Sequence, residues 1–384
     1  MLSMVEDGKV QGPITDDHER IMLPVVPDFM PAVDAPVILP GIHQPFVTGT
    51  LQTAIGGVPI VTTDLSGSDR RGGCKARWGV GRMHYAVDPG LYALGRPEAE
   101  SPVFVSANYK MSFDFLRRSL HGRDGWILVL DTQGINVWCA AGKGTFGTAE
   151  LVRRIFLSGL DRIVTHRRLI LPQLSAPGVA AHRVRQYSGF KVVYGPIRAE
   201  DLPAFLDNGL KARPEMRQKT FTLSERAVLI PIELVEALRT AALIVPVFSI
   251  IGGLLGQGPF LERAVQEGLT AAGFLLTALI SGSVLTPLLL PFLPGRAFSL
   301  KGFSIGCVLC LLLLTLVDFP SRLPAVAWFL IMTSVSAFLA MNFTGASTYT
   351  SLSGVRQEMR WALPLEIAGG SLGLLLWLSA FWIH

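Results

Sequence analysis

From residue 240 onward the chain consists of long apolar runs, and this decides most of what it can fold into. Five stretches approach or exceed the roughly 20 residues that a helix needs to cross a bilayer. They are Thr240–Phe260, Leu269–Leu293, Gly302–Phe319, Leu323–Phe343 and Leu365–Ile383, the third being the shortest. Only 11 of the 63 Asp, Glu, Lys and Arg residues fall in this part. Prolines such as Pro246 and Pro287 are tolerable there if neighbouring helices satisfy the freed backbone. The loops predict an orientation. Lys211, Arg213, Arg217, Lys219, Arg226 and Arg239 precede the first span. Arg296 and Lys301 lie in one connection, Arg356 and Arg360 in another. The remaining two hold Arg263 and Arg322 beside Glu262, Glu267 and Asp318. The positive-inside rule then puts the first part in the cytoplasm and the C-terminus outside, in a multi-pass inner-membrane protein. Glu366 stands near the inner end of the last span, with no run of intramembrane charges around it. That weakens an ion-coupled transporter.

The rest of the chain is polar. Overall 50% of residues are apolar and 16% charged, which excludes a disordered or collagen-like chain. Four cysteines are too few for a disulfide scaffold. The first residues show no basic start, apolar run and cleavage site, so no signal peptide is expected. The net charge of +5 is accounted for by cytoplasmic flanks, and no nucleic-acid partner is expected.

The division expected is 1–66 an irregular N-terminal extension, 67–219 a cytoplasmic α/β domain, 220–239 a linker and 240–384 the transmembrane domain. Residues 67–95 read as loop. Beyond Pro102, short β-rich runs alternate with helical ones. Val103–Ala107, Trp126–Asp131, Ile163–Thr165, Leu169–Leu171 and Lys191–Tyr194 read as strands. Ser112–Leu120, Phe146–Ser158, Val179–Tyr187 and Ala199–Asn208 read as helices. This alternation predicts a Rossmann-like fold, a mostly parallel sheet with helices on both faces. Ligands of such folds sit beyond the carboxyl ends of the strands, where Ser106, Asn108 and the segment after Asp131 fall.

That segment, Gly134–Gly147, reads GINVWCAAGKGTFG. Ala140, Ala141, Gly142 and Gly144 let backbone approach something large and flat. A nucleotide phosphate loop fails on spacing, because Val137 and Gly144 stand where Gly and Ser or Thr are needed. A dinucleotide fingerprint fits Gly142, Gly144 and Gly147 but lacks its acidic residue after the next strand. Taken alone, Cys139 reads as a buried packing residue.

In context, NVWCAAGKG resembles the signature of the HgcA family, the corrinoid proteins of microbial mercury methylation. The likeness extends through SANYKMSFDFLRRSL, LILPQLSAPGVAAHRVRQYSGFKVVYGPIRAEDLPAFL and NFTGASTYTSLSGVRQEMRW, most of residues 70–384. The α/β domain is similar to the corrinoid domain of the corrinoid iron–sulfur protein's large subunit. The resemblance implies a cobalt corrinoid (cobalamin-type) with Cys139 as the lower axial ligand of its cobalt. A thiolate there is a strong, soft donor that favours release of methyl to the soft cation Hg(II). It also implies a cofactor site of Ser106, Asn136, Val137, Trp138, Cys139, Ala140, Ala141, Gly142, Lys143, Gly144 and Thr145. For Asn136 and Trp138 strand-end packing is the plain alternative, for Lys143 a solvated helix flank, and for Thr145 a cap on the next helix. The histidine-ligand motif DxHxxG is absent: Asp16 and His18 are followed by Ile21. His182 reads as a surface or packed helix residue.

Other cysteines carry weaker signals. Cys307 and Cys310 form a CxxC inside a span, where packing is the plain reading. Cys74 has basic neighbours, Arg70, Arg71, Lys75 and Arg77. No CxxCxxC run is present, so no iron–sulfur cluster is expected in this chain. The resemblance implies a two-cluster [4Fe–4S] ferredoxin, HgcB, as electron donor. A methyl-donating methyltransferase or corrinoid protein is also implied. Arg153, Arg154, Arg162, Arg167, Arg168, Arg183 and Arg185 offer a basic face for an acidic partner. The alternatives are a corrinoid methyl carrier of one-carbon (acetyl-CoA pathway) metabolism and a transporter with a regulatory α/β domain. The polar run Asn342–Gly354 is expected to close the site from the membrane side.

Overall fold

A computed structural model describes residues 30–31, 35–346 and 352–383. Asp16, His18 and Ile21 lie outside the described residues, as do residues 347–351 of the polar run.

A seven-stranded sheet of order β1-β2-β3-β5-β4-β6-β7 forms the first half. Its strands are β1 (Val47–Thr53), β2 (Gly56–Val61), β3 (Gly90–Leu94), β4 (Val103–Ala107), β5 (Gly125–Leu130), β6 (Arg168–Leu171) and β7 (Lys191–Tyr194). The run β5-β4-β6-β7 is parallel, β3 pairs antiparallel with β5, and β1 and β2 form an antiparallel hairpin. The sheet is therefore mixed but mostly parallel, as the alternation predicts. β3, β4 and β5 are buried along their whole length, which is why they read as near-continuous apolar runs.

Strand periodicity sorts these residues onto two faces. Val103, Val105, Ala107, Trp126, Leu128 and Leu130 pack on one side. There they meet α3 (Val137–Lys143), α4 (Thr148–Leu157) and α6 (Ala181–Ser188). Phe104, Ile127 and Val129 pack on the other, against α2 (Lys110–Ser119) and α7 (Leu202–Asp207).

Several expectations change. Residues 47–61, inside the segment read as irregular, form the β1–β2 hairpin, and residues 67–95 hold α1 (Gly67–Arg77) and β3. Ile163–Thr165 is not a strand. Leu160–Ile163 is a short helix, α5, and Arg167 Nη1 donates to Val164 O at 2.6 Å, tying the chain into a turn before β6 begins. The presumed linker 220–239 is helical: α8 (Leu223–Ala227) leads into α9 (Ile230–Leu255).

α1 is fastened to α2 by a buried ion cluster. Lys110 Nζ donates to Asp69 at 2.6 Å and to Asp114 at 2.7 Å. Arg117 donates to Asp69 at 2.9 Å, to Asp114 at 2.8 Å and to the carbonyls of Thr62 and Asp64. Each charge is thus both paired and hydrogen-bonded, the condition for tolerating burial. Burial alone would push the Asp69 carboxyl up, but hydrogen bonds from Lys110 and Ser66 outweigh it and hold it well below the ordinary range.

The second half is helical: α9, α10 (Phe260–Leu279), α11 (Thr286–Leu289), α12 (Phe298–Leu314), α13 (Arg322–Ala346) and α14 (Leu352–Ser379). A π-turn at Ile280–Leu285 joins α10 to α11. Among the described residues, four helical stretches are long and apolar enough to cross a membrane: 223–255, 260–292, 322–343 and 354–379. They make this a multi-pass membrane protein. The third expected span is the shorter α12, of 17 residues. Gly302 and Gly306 of α12 bring its backbone against Ser336 and Ala340 of α13, and a Cβ on Gly302 would stand 2.4 Å from that of Ala340. Cys310 is fully buried in the helical core and Cys307, three residues before it on α12, is half-buried.

Candidate functional site

Chain order and strand order together place a crevice. From β4 the chain moves to β5 on one side, then crosses to β6 on the other. The β4/β6 boundary is therefore the topological switch point, where ligands of open α/β sheets bind beyond the carboxyl ends of the strands. A cavity of about 810 Å³ opens there. Phe104, Val105 and Ser106 of β4 and Ile170 and Leu171 of β6 line it, with Ser112 and Phe115 of α2 beside them. Asn136, Val137, Trp138 and Cys139 form another wall. Its volume falls in the range of small-molecule and cofactor sites, and its walls are mainly apolar.

Local chemistry builds the Cys139 wall. The carboxyl-terminal end of β5 passes into a turn held by buried Asn108. Asn108 Oδ1 accepts from Thr132 N at 3.1 Å, Thr132 Oγ1 at 2.8 Å and Gly134 N at 2.9 Å. Gln133 takes a positive φ of 58° and Gly134 one of 70° in that turn. Asn136 then caps α3: its Oδ1 accepts from Cys139 N at 2.9 Å. Gly144, at φ 85°, ends the helix in the left-handed region. A stretch that reads as a glycine loop is thus a capped two-turn helix, with Cys139 half-buried in its first turn. Ala140 and Ala141 are buried beneath it. Gly178 lies so close that an added Cβ would meet Phe146 O at 2.2 Å and Ala141 Cα at 3.0 Å.

The structure thus brings Ser106, Asn136, Val137, Trp138 and Cys139 together on one cavity, with Ala140 and Ala141 in support. Gly142 and Lys143 are exposed and do not line it. Gly144 and Thr145 line a separate hollow of about 330 Å³ with Asp131, Gln133, Glu150 and Arg153. Thr145 does not cap α4. That helix starts at Gly147 without a side-chain cap, and Thr145 Oγ1 reaches Ala140 O at 3.5 Å. Thr148 instead ties α4 to the Gly178 segment by accepting from Ala180 N at 2.8 Å. His182 is exposed on α6 and Cys74 on α1. Within the arginine face, Arg154 is buried against Glu150 at 2.7 Å and Arg167 stacks 5.1 Å from the Phe190 ring centre. Arg153, Arg162, Arg168, Arg183 and Arg185 remain exposed.

Sequence reading missed the membrane-side wall. Phe221, Thr222, Ser224, Glu225, Val228 and Leu229, in and around α8, also line the cavity. Glu225 fastens this segment, accepting from Arg198 at 3.1 Å and Lys219 at 2.6 Å while completing a capping box with Thr222. The signal was present in the T-x-x-E spacing, but nothing in it says what the helix covers.

Fold and site define a membrane-attached α/β protein with a ligand cavity at its switch point. Residues 81–206 match the family CdhD, described as CO dehydrogenase/acetyl-CoA synthase delta subunit. The chain is 30% identical over 128 residues to the acetyl-CoA decarbonylase/synthase complex subunit gamma of Archaeoglobus fulgidus, covering 33% of this chain and 27% of that one. It is 33% identical over 131 residues to subunit gamma 2 of Methanosarcina mazei, again 33% and 27% of the two chains. For the subunit of Methanocaldococcus jannaschii the figures are 30% over 147 residues, 37% and 29%. The chain spans little more than a quarter of the length of the curated relatives it matches. The α/β domain is thus a distant, partial relative of these subunits. The family match ends within α7, before α8 and the membrane helices.

Proposed function

We propose that this protein is a membrane-anchored corrinoid methyltransferase that passes a methyl group to Hg(II), forming methylmercury. The observation that carries the proposal is Cys139, set by a helix cap on the wall of the switch-point cavity inside the sequence NVWCAAGKG. The residues present fit a large, mainly apolar cofactor: the cavity is roomy and largely apolar, and Val137, Trp138 and Cys139 of α3 stand on its wall beside Ser106. When bound, a corrinoid would supply a cobalt-held methyl group, and the Cys139 sulfur, a soft and strong donor, would favour passing that methyl to a soft cation.

The chain's own residues do the holding. Cys139 offers the sulfur, Asn136 fixes its backbone, Ser106 offers a hydroxyl to the cofactor's edge, and Val137 and Trp138 wall it. The α8 segment covers the site from the membrane side and keeps water out. A two-cluster ferredoxin of the HgcB kind is the electron donor this reading calls for. The exposed Arg162, Arg168, Arg183 and Arg185 suit an acidic partner of that sort. A methyltransferase or another corrinoid protein supplies the methyl group. The soluble domain lies in the cytoplasm and the C-terminus outside.

A second reading is a corrinoid methyl carrier of acetyl-CoA metabolism, favoured by the relatives' names. Cys139→Ala separates the two. Loss of mercury methylation together with a changed visible spectrum, on a protein that still binds corrinoid, supports the first reading. Wild-type methylation by the variant overturns the role of Cys139, and absence of mercury methylation by the corrinoid-loaded wild-type protein leaves the carrier.

A further inference from the structure

Between α1 and β3 the chain runs Trp78-Gly79-Val80-Gly81-Arg82-Met83. Three of these side chains are large, apolar and turned outward: Trp78 is 45% exposed, Val80 56% and Met83 63%. Neither core cluster of the α/β domain takes them in. Single exposed apolar residues need no explanation, but a tight group of them marks an interaction surface.

The loop is preformed. Arg82 donates to Ala76 O at 3.4 Å and its guanidinium lies 5.5 Å from the centre of the Tyr109 ring. The chain leading into it is basic, and Glu233 of α9 stands near Arg82 as the acidic neighbour on the packed side. α1, which leads into it, exposes Arg70, Arg71 and Lys75. From Gly67 to His84 the acidic complement is Asp69 alone, buried in its ion pairs.

Its position settles which partner to consider. Gly79 rests against α9, where an added Cβ would stand 3.1 Å from Ile232 Cδ1. Arg239 is the last charge before the apolar run of that helix. From Ile232 to Thr240 the helix climbs about 12 Å. The headgroup layer occupies roughly 5–8 Å outside the hydrocarbon. The loop therefore begins within about a side chain's reach of the headgroups, where Trp and basic residues are favoured.

We propose that Trp78, Val80 and Met83 form an interfacial anchor that docks the α/β domain on an anionic bilayer surface, with Arg70, Arg71 and Lys75 facing the lipid phosphates. The anchor is continuous with the spanning helix. It fixes the end of α1, whose Arg77 lines the cavity, relative to the membrane.

The test uses the full chain carrying Cys74→Ser and Val80→Cys. It is labelled with an environment-sensitive fluorophore and reconstituted into vesicles of phosphatidylcholine alone or mixed with phosphatidylserine. The Cys74→Ser parent, labelled in parallel, corrects for the remaining cysteines. Arg183→Cys on exposed α6 is the water-facing reference. The label at 80 is expected to be quenched by spin-labelled lipid and to show at least about twofold less iodide quenching than the reference. This protection should be stronger with phosphatidylserine, and Arg70→Glu, Arg71→Glu and Lys75→Glu together should remove the phosphatidylserine dependence. Iodide quenching equal to that at position 183 in both vesicle types overturns the proposal. So does shielding that arises only when a second protein is added, which would assign the loop to a protein partner.

Discussion

Asn136 Oδ1 accepts the backbone N–H of Cys139 at 2.9 Å, so the residue that opens α3 also positions the thiol on the cavity wall. Loss of an N-cap costs about 1 kcal/mol. Asn136→Ala should lower stability by that amount and, with Cys139 holding the cobalt as proposed, weaken the sulfur–cobalt signature in the visible spectrum. Asn136→Asp, an equally good cap, should restore both. An Ala variant with the wild-type spectrum would mean that the cap does not place the sulfur.

Gly178 faces backbone rather than movable side chains. A Cβ there would overlap Phe146 O and press on Ala141. Gly178→Ala must therefore shift α3 or the segment after it, at about 1–3 kcal/mol of overpacking. Thermal unfolding and corrinoid retention should fall together. Gly189→Ala, where nothing stands within 4 Å but φ is 72°, is the control: it should strain the backbone and leave retention unchanged.

Glu225 joins α8 to Arg198 and Lys219 over the cavity. These pairs are partly exposed, so each contributes at most about 1 kcal/mol to stability. Glu225→Gln should scarcely move the unfolding temperature yet hasten release of bound corrinoid several-fold. A stopped-flow chase with free cobalamin measures the release. An unchanged rate would show that α8 does not retain the ligand.

Asp69 gives a pH dependence with a definite sign. Its carboxyl is held below the ordinary range, so its stabilising contribution is complete above its unfolded value of about 4. That contribution is lost as pH falls from there toward the lowered folded value. Asp69→Asn should cost about 3 kcal/mol at neutral pH, because Lys110 and Arg117 keep only Asp114 between them. The gap from wild type should close progressively below about pH 4. Chemical unfolding of the detergent-solubilised protein at neutral and acidic pH provides the check.

Where a segment's own pattern matched its surroundings, the sequence was legible. The sequence shows Val103–Ala107 and Lys191–Tyr194 with the bounds they have: β4 is an apolar run buried along its length, and β7 is a short β-branched run paired in parallel with β6 at the sheet edge. The long helices were legible for the same reason, since a bilayer imposes length and apolarity on each one separately. β1 was not, being a half-exposed edge strand stabilised by pairing with β2. β3 hid in a Gly- and Arg-rich stretch and gains its place from register with β5.

Hydropathy and short-range period therefore determined the two-part architecture and the core strands, because these are properties of neighbouring residues, whereas the segment around Cys139 stands out by its resemblance to a known signature. Tertiary structure alone decided that Cys139 shares a wall with Ser106, that Gly178 must lack a Cβ, and that a supposed linker lines the cavity as α8. Those facts arise from contacts between residues far apart in the chain, and local patterning carries no record of such approaches.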